Sequence, residues 1–151
     1  MKYPNLIGLL LVLLSVTVAN AQNNTGAKPN LFASFPNTIT CTEQELSKAF
    51  TAGVNQTISF SFSDHFLFNG IVTGSVVKYS NLHSVIITSP AMDNVIFAIS
   101  KIINADKSIT YVGHIINKNY ADGYELKKDA SNNYQLVKFE TDKVLQDCHQ
   151  Q

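Results

Sequence analysis

Four histidines, His65, His83, His114 and His149, are the side chains with the widest chemical scope in this sequence. No two of them stand at i, i+2 or i, i+4, the spacings that set two ligands on one face of a strand or helix, and no thiol lies two residues from another. A metal site would have to be assembled from His65, His83 and His114 across neighbouring strands; the plainer reading is three separate, partly exposed side chains. Asp64-His65 is the nearest approach to an acid/base pair. Neighbours along a strand point to opposite faces, so the dipeptide is not a dyad, and Asp64 reads as the cap of a turn. No Gly-x-Ser-x-Gly elbow, phosphate loop, His-Glu-x-x-His helix or dinucleotide fingerprint occurs. Asp129-Ala-Ser-Asn-Asn133 has acceptors but neither the spacing nor the terminal glutamate of a calcium loop. The sequence therefore assigns no catalytic, cofactor-binding or metal-binding residue and implies no cofactor.

Aromatic residues carry more information. Phe60, Phe62, Phe66 and Phe68 crowd one region, while Tyr79, Tyr111, Tyr120, Tyr124 and Tyr134 are spread over the later segments. Such rings usually build a core with their hydroxyls reaching outward; left exposed, they would offer a recognition face for glycan or protein. The surface candidates are accordingly Asp64, His65, His83, His114, Tyr111, Tyr124 and Tyr134.

The elements that must hold these residues follow from periodicity. Thr42-Glu43-Gln44-Glu45 fits a capping box, and Leu46, Ala49 and Phe50 recur at helical spacing before Gly53, which predicts one short helix over 43–52. From Thr57 the period becomes two: Ile58, Phe60 and Phe62 alternate with Thr57, Ser59 and Ser61. β-type residues continue over 66–79, where Asn69-Gly70 signals either a hairpin or a bent strand. Further strands are predicted over 82–88, 95–103 and 108–116, with a turn at Ser89-Pro90-Ala91-Met92-Asp93-Asn94 and with Ile109, Tyr111, Gly113 and Ile115 on one face. Tyr124-Glu-Leu-Lys-Lys128 and Tyr134-Gln-Leu-Val-Lys138 read as two arms of a hairpin. The fold class is mainly β: six to eight antiparallel strands in a small barrel or two-layer sheet, with the helix covering an open end or face.

The chain has 151 residues, 45% of them hydrophobic and 15% charged, enough for one domain with a real core. Lys2, the apolar run Leu6 to Val18 and Ala19-Asn20-Ala21 form a signal-peptidase pattern cut after Ala21, since the run is shorter than the roughly 20 residues a membrane span needs. The expected organisation is a signal peptide at 1–21, a loose polar leader at 22–30 and a single domain at 31–151. Cys41 and Cys148 are then the only thiols, and in an oxidising compartment they are expected to pair, closing a loop worth about 4 to 5 kcal/mol on the chain-entropy model. A net charge of zero, with every basic residue a lysine, offers no electrostatic case for nucleic acid or for a membrane after signal cleavage.

The Ala19-Asn-Ala-Gln-Asn23 processing region, the Asn- and Lys-rich composition and the run from Tyr111-Val-Gly-His-Ile115 to Cys148 resemble small uncharacterised secreted proteins of Bacteroidota-type bacteria. That resemblance implies export and carries over no catalytic residue. The leading expectation is a secreted or periplasmic non-catalytic domain that binds a protein or glycan. Two alternatives are an inhibitor or pro-domain-like partner of a secreted hydrolase, presenting Ser89-Pro90-Ala91-Met92, and a small hydrolase or metal-dependent enzyme using the histidines with Asp64 or Asp122.

Overall fold

The computed structural model describes residues 27–141. The expected signal peptide, the first part of the leader, Cys148 and His149 lie outside the described residues. Eight strands follow one another in a single antiparallel sheet: β1 (Thr38–Cys41), β2 (Thr57–Ser63), β3 (Phe66–Tyr79), β4 (Leu82–Ser89), β5 (Val95–Ile103), β6 (Ile109–Ile116), β7 (Asp122–Lys128) and β8 (Tyr134–Glu140). Their spatial order is β1-β8-β7-β6-β5-β4-β3-β2, a meander curled until β1 and β2 come side by side, giving a nearly closed barrel. Between β1 and β2 no ladder forms, and Glu45 Oε1 covers part of that seam by accepting from Ser61 N at 2.6 Å.

Seven strands follow the helix, as the periodicity predicts, and one short strand precedes it. The helix, α1 (Glu43–Ser47), continues as a 3-10 turn at Lys48–Phe50. Thr42 accepts from Glu45 N at 3.2 Å as the capping box requires. The Glu45 carboxylate does not return to the cap; it goes to Ser61 N and to Lys48 at 2.6 Å, because a sheet edge with a free amide lies within its reach. α1 sits in one mouth of the barrel, burying Leu46 and Ala49 and placing the Phe50 ring against Tyr111 and His83.

The opposite mouth is closed by residues 31–37. Both oxygens of the buried Asp122 accept there, from Leu31 N at 2.7 Å and Phe32 N at 2.9 Å. Lys138 Nζ donates to the carbonyls of Phe32 and Phe35, each at 2.7 Å, and Tyr124 Oη donates to Pro36 O. This strap drops Phe32 onto Phe66 and Tyr124, edge to face.

Inside, alternate residues of every strand form one core. Phe60, Phe62 and Phe68 all pack around Phe97, and each such buried ring stabilises by about 1.5–3 kcal/mol before its ordering cost. Asn69-Gly70 is not a hairpin: it lies within β3, and Gly70 is needed because a Cβ there would come within 2.6 Å of Ile87. The two Tyr-x-Leu-x-Lys segments do form one hairpin, in register Tyr124↔Lys138, Leu126↔Leu136 and Lys128↔Tyr134. Antiparallel pairing of two like segments thus carries each lysine to the other arm's tyrosine, Lys128 at 4.7 Å and Lys138 at 5.9 Å from the ring centres.

Candidate functional site

The barrel separates the residues that chemistry would need together. Asp64 and His65 lie exposed in the β2–β3 turn at the strap end. His83 lies at the helix end, its Nε2 2.9 Å from Ser75 Oγ and its ring against Phe50. His114 stands on the outside of β6, opposite Glu125. Among the described residues, no three metal-ligating side chains gather. Asp122 is committed to the strap, which leaves the hydrolase and metal-enzyme alternative without a constellation.

Three of the surface candidates need correcting. Tyr111, Tyr124 and Tyr134 are buried inside the barrel, because their strands turn those positions inward together with Ile115, Leu126 and Leu136. Tyr134 Oη accepts from Tyr111 N at 2.8 Å, and burial, with the nearby Asp122 carboxylate, pushes the Tyr124 hydroxyl up to about 12. The expected Cys41–Cys148 disulfide is not seen either: Cys148 lies outside the described residues, and among those described Cys41 is a free thiol, buried at the end of β1, where burial raises its pKa to about 12. At neutral pH it is a protonated core residue, not a nucleophile.

With phenylalanine filling the axis, anything bound must be bound outside. The Ser89-Pro90-Ala91-Met92 segment exposes Pro90 and Ala91 and anchors both ends. It forms a 3-10 turn with Ser89 buried and Met92 against the core, and the residue after it is tied down by Asn117 Nδ2 to Asp93 O at 2.6 Å and by Tyr120 Oη to the Asp93 carboxylate at 3.1 Å.

The outer surface of the barrel has two unlike walls. On β7 and β8 the register turns Glu125, Lys127, Gln135, Val137 and Phe139 outward, while Asp122, Lys128 and Lys138 share the side of the buried tyrosines, and the exposed positions of β1 and β2 are Thr38, Thr40, Thr57, Ser59 and Ser61. β3 to β6 are twice as many strands as β7 and β8, yet they hold only two charged residues. Lys78 is at the far tip of β3, and Lys101 faces the Phe50 ring at 5.2 Å. The register sets Ile71, Thr88, Ile96 and Ile116 in one row across this wall, Ile86, Ala98 and His114 in the next, and Val76, Ser84, Ser100 and Val112 in a third. Ile71, Ile86, Ile96 and Val112, on the same wall, are between 36% and 45% exposed.

The hydroxyls of the wall are largely satisfied within it. Ser84 Oγ and Ser100 Oγ are 2.7 Å apart, Thr73 and Thr88 share a bond at 3.2 Å, and Thr73 also donates to Ile86 O at 3.3 Å. Covering the wall therefore strands few polar groups, which lowers the desolvation penalty that normally opposes burial of a sheet face. Two shallow depressions mark its borders, one of about 530 Å³ between Thr88, Ile96 and Ile116 and the turns that carry Asp93 and Lys118, the other of about 320 Å³ around Ala98, Val112 and His114 with Glu125 of β7 at its side. Sequence reading missed these residues. Their signal was a charge-poor stretch, since between Phe66 and Ile116 the only charges are Lys78, Asp93, Lys101, Asp106 and Lys107.

No protein-family model, curated protein or solved structure matches this chain. Among the described residues, no helix is long and apolar enough to cross a membrane.

Proposed function

We propose that the protein is an exported, non-catalytic domain whose β3–β6 wall binds a protein partner. The observation that carries this reading is the wall itself: exposed isoleucine and valine interspersed with alanine, serine and threonine, no charged side chain among the three rows, and hydroxyls already paired to one another. Such a face is suited to another apolar protein surface, in keeping with the depletion of charge at the centre of protein interfaces. A glycan is the weaker fit, since saccharides favour exposed aromatic rings and the rows present none. Export is supported by Lys2, the run Leu6 to Val18 and Ala19-Asn20-Ala21.

Site-specific photocrosslinking from position 86 in the producing cell tests the reading. One partner protein should be captured, and Val112→Glu should abolish that capture, whereas Thr57→Glu on the opposite wall should leave it intact. Equal capture by all three proteins would overturn it.

A further inference from the structure

Past the turn that carries Phe50, the inner face of the sheet continues beyond the packed core. Val77, His83, Lys101 and Tyr111 are register partners across β3 to β6 and form its next row, on the same side as the buried Val85 and Ile99. Tyr111 is buried. The Phe50 ring lies against the middle of the row, its centre 5.1 Å from that of His83 and 5.2 Å from Lys101 Nζ. One row further on, Ile103 pairs with Ile109, and both are exposed, as is Val77. A recess of about 180 Å³ opens there between Val77, Tyr79, His83, Lys101, Ile103 and the 80–82 turn.

Folding alone gains little from this arrangement. His83 stands directly opposite Lys101, so a ring that can carry charge faces an ammonium, and like charges so placed destabilise a sheet. Among the described residues no carboxylate lies within ion-pair distance of either, and no acidic side chain lines the recess. His83 Nε2 is taken by Ser75 Oγ at 2.9 Å, which leaves Nδ1 for another partner. Barrel mouths are a preferred place for small ligands, where a few polar groups converge on an apolar lining.

We propose that this recess binds an aliphatic monocarboxylate, whose carboxylate accepts from Lys101 Nζ and His83 Nδ1 and whose chain lies along Val77, Ile103 and Ile109. The charge selects the head: one ammonium beside a neutral imidazole balances one carboxylate, and falls short of the roughly twofold charge of a phosphate monoester. The floor selects the body, since valine and isoleucine offer hydrocarbon contact and no hydrogen bond. Ligand sites usually measure about 300–1,000 Å³, so this smaller recess takes the head and the first carbons and leaves the rest of the chain on the open shelf. The site is separate from the outward rows of the β3–β6 wall, because its residues belong to the opposite face of the same strands.

Isothermal titration of the mature chain with decanoate, below its micelle concentration, should show saturable one-to-one binding. Decanol, which has the chain without the charge, and acetate, which has the head alone, should each bind at least about tenfold more weakly. Lys101→Met keeps the aliphatic stem beside Phe50 and should weaken decanoate about tenfold, while Lys101→Arg should retain it. Val77→Glu, a change at an exposed position, should abolish binding by setting a carboxylate in the recess. In amide NMR spectra of the wild-type protein, decanoate should shift Val77, His83, Lys101 and Ile103, a readout that needs no variant. No binding, decanol as tight as decanoate, a preference for decyl phosphate, or an affinity indifferent to Lys101→Met would each overturn the proposal. None of these results bears on the wall, whose variant Val112→Glu should leave decanoate binding unchanged.

Discussion

On the β7–β8 side of the barrel the outward positions include Glu125 and Lys127, an exposed ion pair at 2.8 Å, beside Gln135 and the half-buried Val137 and Phe139; on the β3–β6 side Ile71, Ile86, Ile96 and Val112 stand among Thr88, Ala98, Ser84, Ser100 and His114 with no carboxylate or lysine in their rows. Both walls hang on the same interior, with Phe97 and Ile115 from one and Tyr124 and Leu126 from the other. Folding asks for apolar residues at inward positions and is nearly indifferent to the outward ones, where surface substitutions usually matter by less than about 0.5 kcal/mol. The β7–β8 wall mixes charge with apolar residues. The β3–β6 wall carries aliphatic residues without that charge and without any gain in the core, the difference that the proposed partner contact would account for.

The comparison breaks if the walls do not share a core. Phe97→Ala should cost about 3–5 kcal/mol by urea unfolding, in one transition seen alike by probes on both walls. Two separate transitions would make the walls independent units. Next in size is Asp122→Ala, which should cost about 1–3 kcal/mol by leaving the amides of Leu31 and Phe32 without their acceptor. It should speed hydrogen exchange at those two amides while leaving the β4–β5 ladder protected.

Alkaline pH sharpens the contrast between inside and outside. Cys41 and Tyr124 hold their protons to about 12 in the fold, against ordinary values of 9.0 and 10.0. Burial disfavours both anions, so above pH 9 the unfolded chain is the form that has lost protons. Stability from these groups is complete below that point and falls as pH rises toward 12, which thermal melts across the range should follow. Tyr124→Phe should remove the tyrosine part of the slope; an unchanged slope would refute the assignment. The smallest expected effect is on the wall itself: Val112→Glu should shift unfolding by no more than about 0.5 kcal/mol while abolishing partner capture, and a large loss of stability would mean that the residue serves folding after all.

Much of the fold is written locally. The alternation Ile58-Phe60-Phe62 predicts β2, Thr42 and Glu45 mark the start of α1, and the likeness of 124–128 to 134–138 announces the β7–β8 hairpin. Legibility failed where partners are far apart in sequence. Asp122 finds its amides about 90 residues away, and nothing near it reveals the strap. Asn69-Gly70 carries the composition of a turn, but the close approach of β4 makes it the middle of a strand. The tyrosines were legible as aromatic and amphipathic, yet which of them stay outside depended on the face their strands present: Tyr79 is exposed, while Tyr111, Tyr124 and Tyr134 are not.

Composition and period alone determined that this chain is mainly β and which residues of each strand lie together, because a two-residue repeat is a property of a single strand. Tertiary structure decided that the sheet curls into a barrel, that the histidines scatter, and that isoleucines from separate strands merge into one wall. Register and closure are set between strands, and a shift of one residue in either would have sent those side chains to the opposite face.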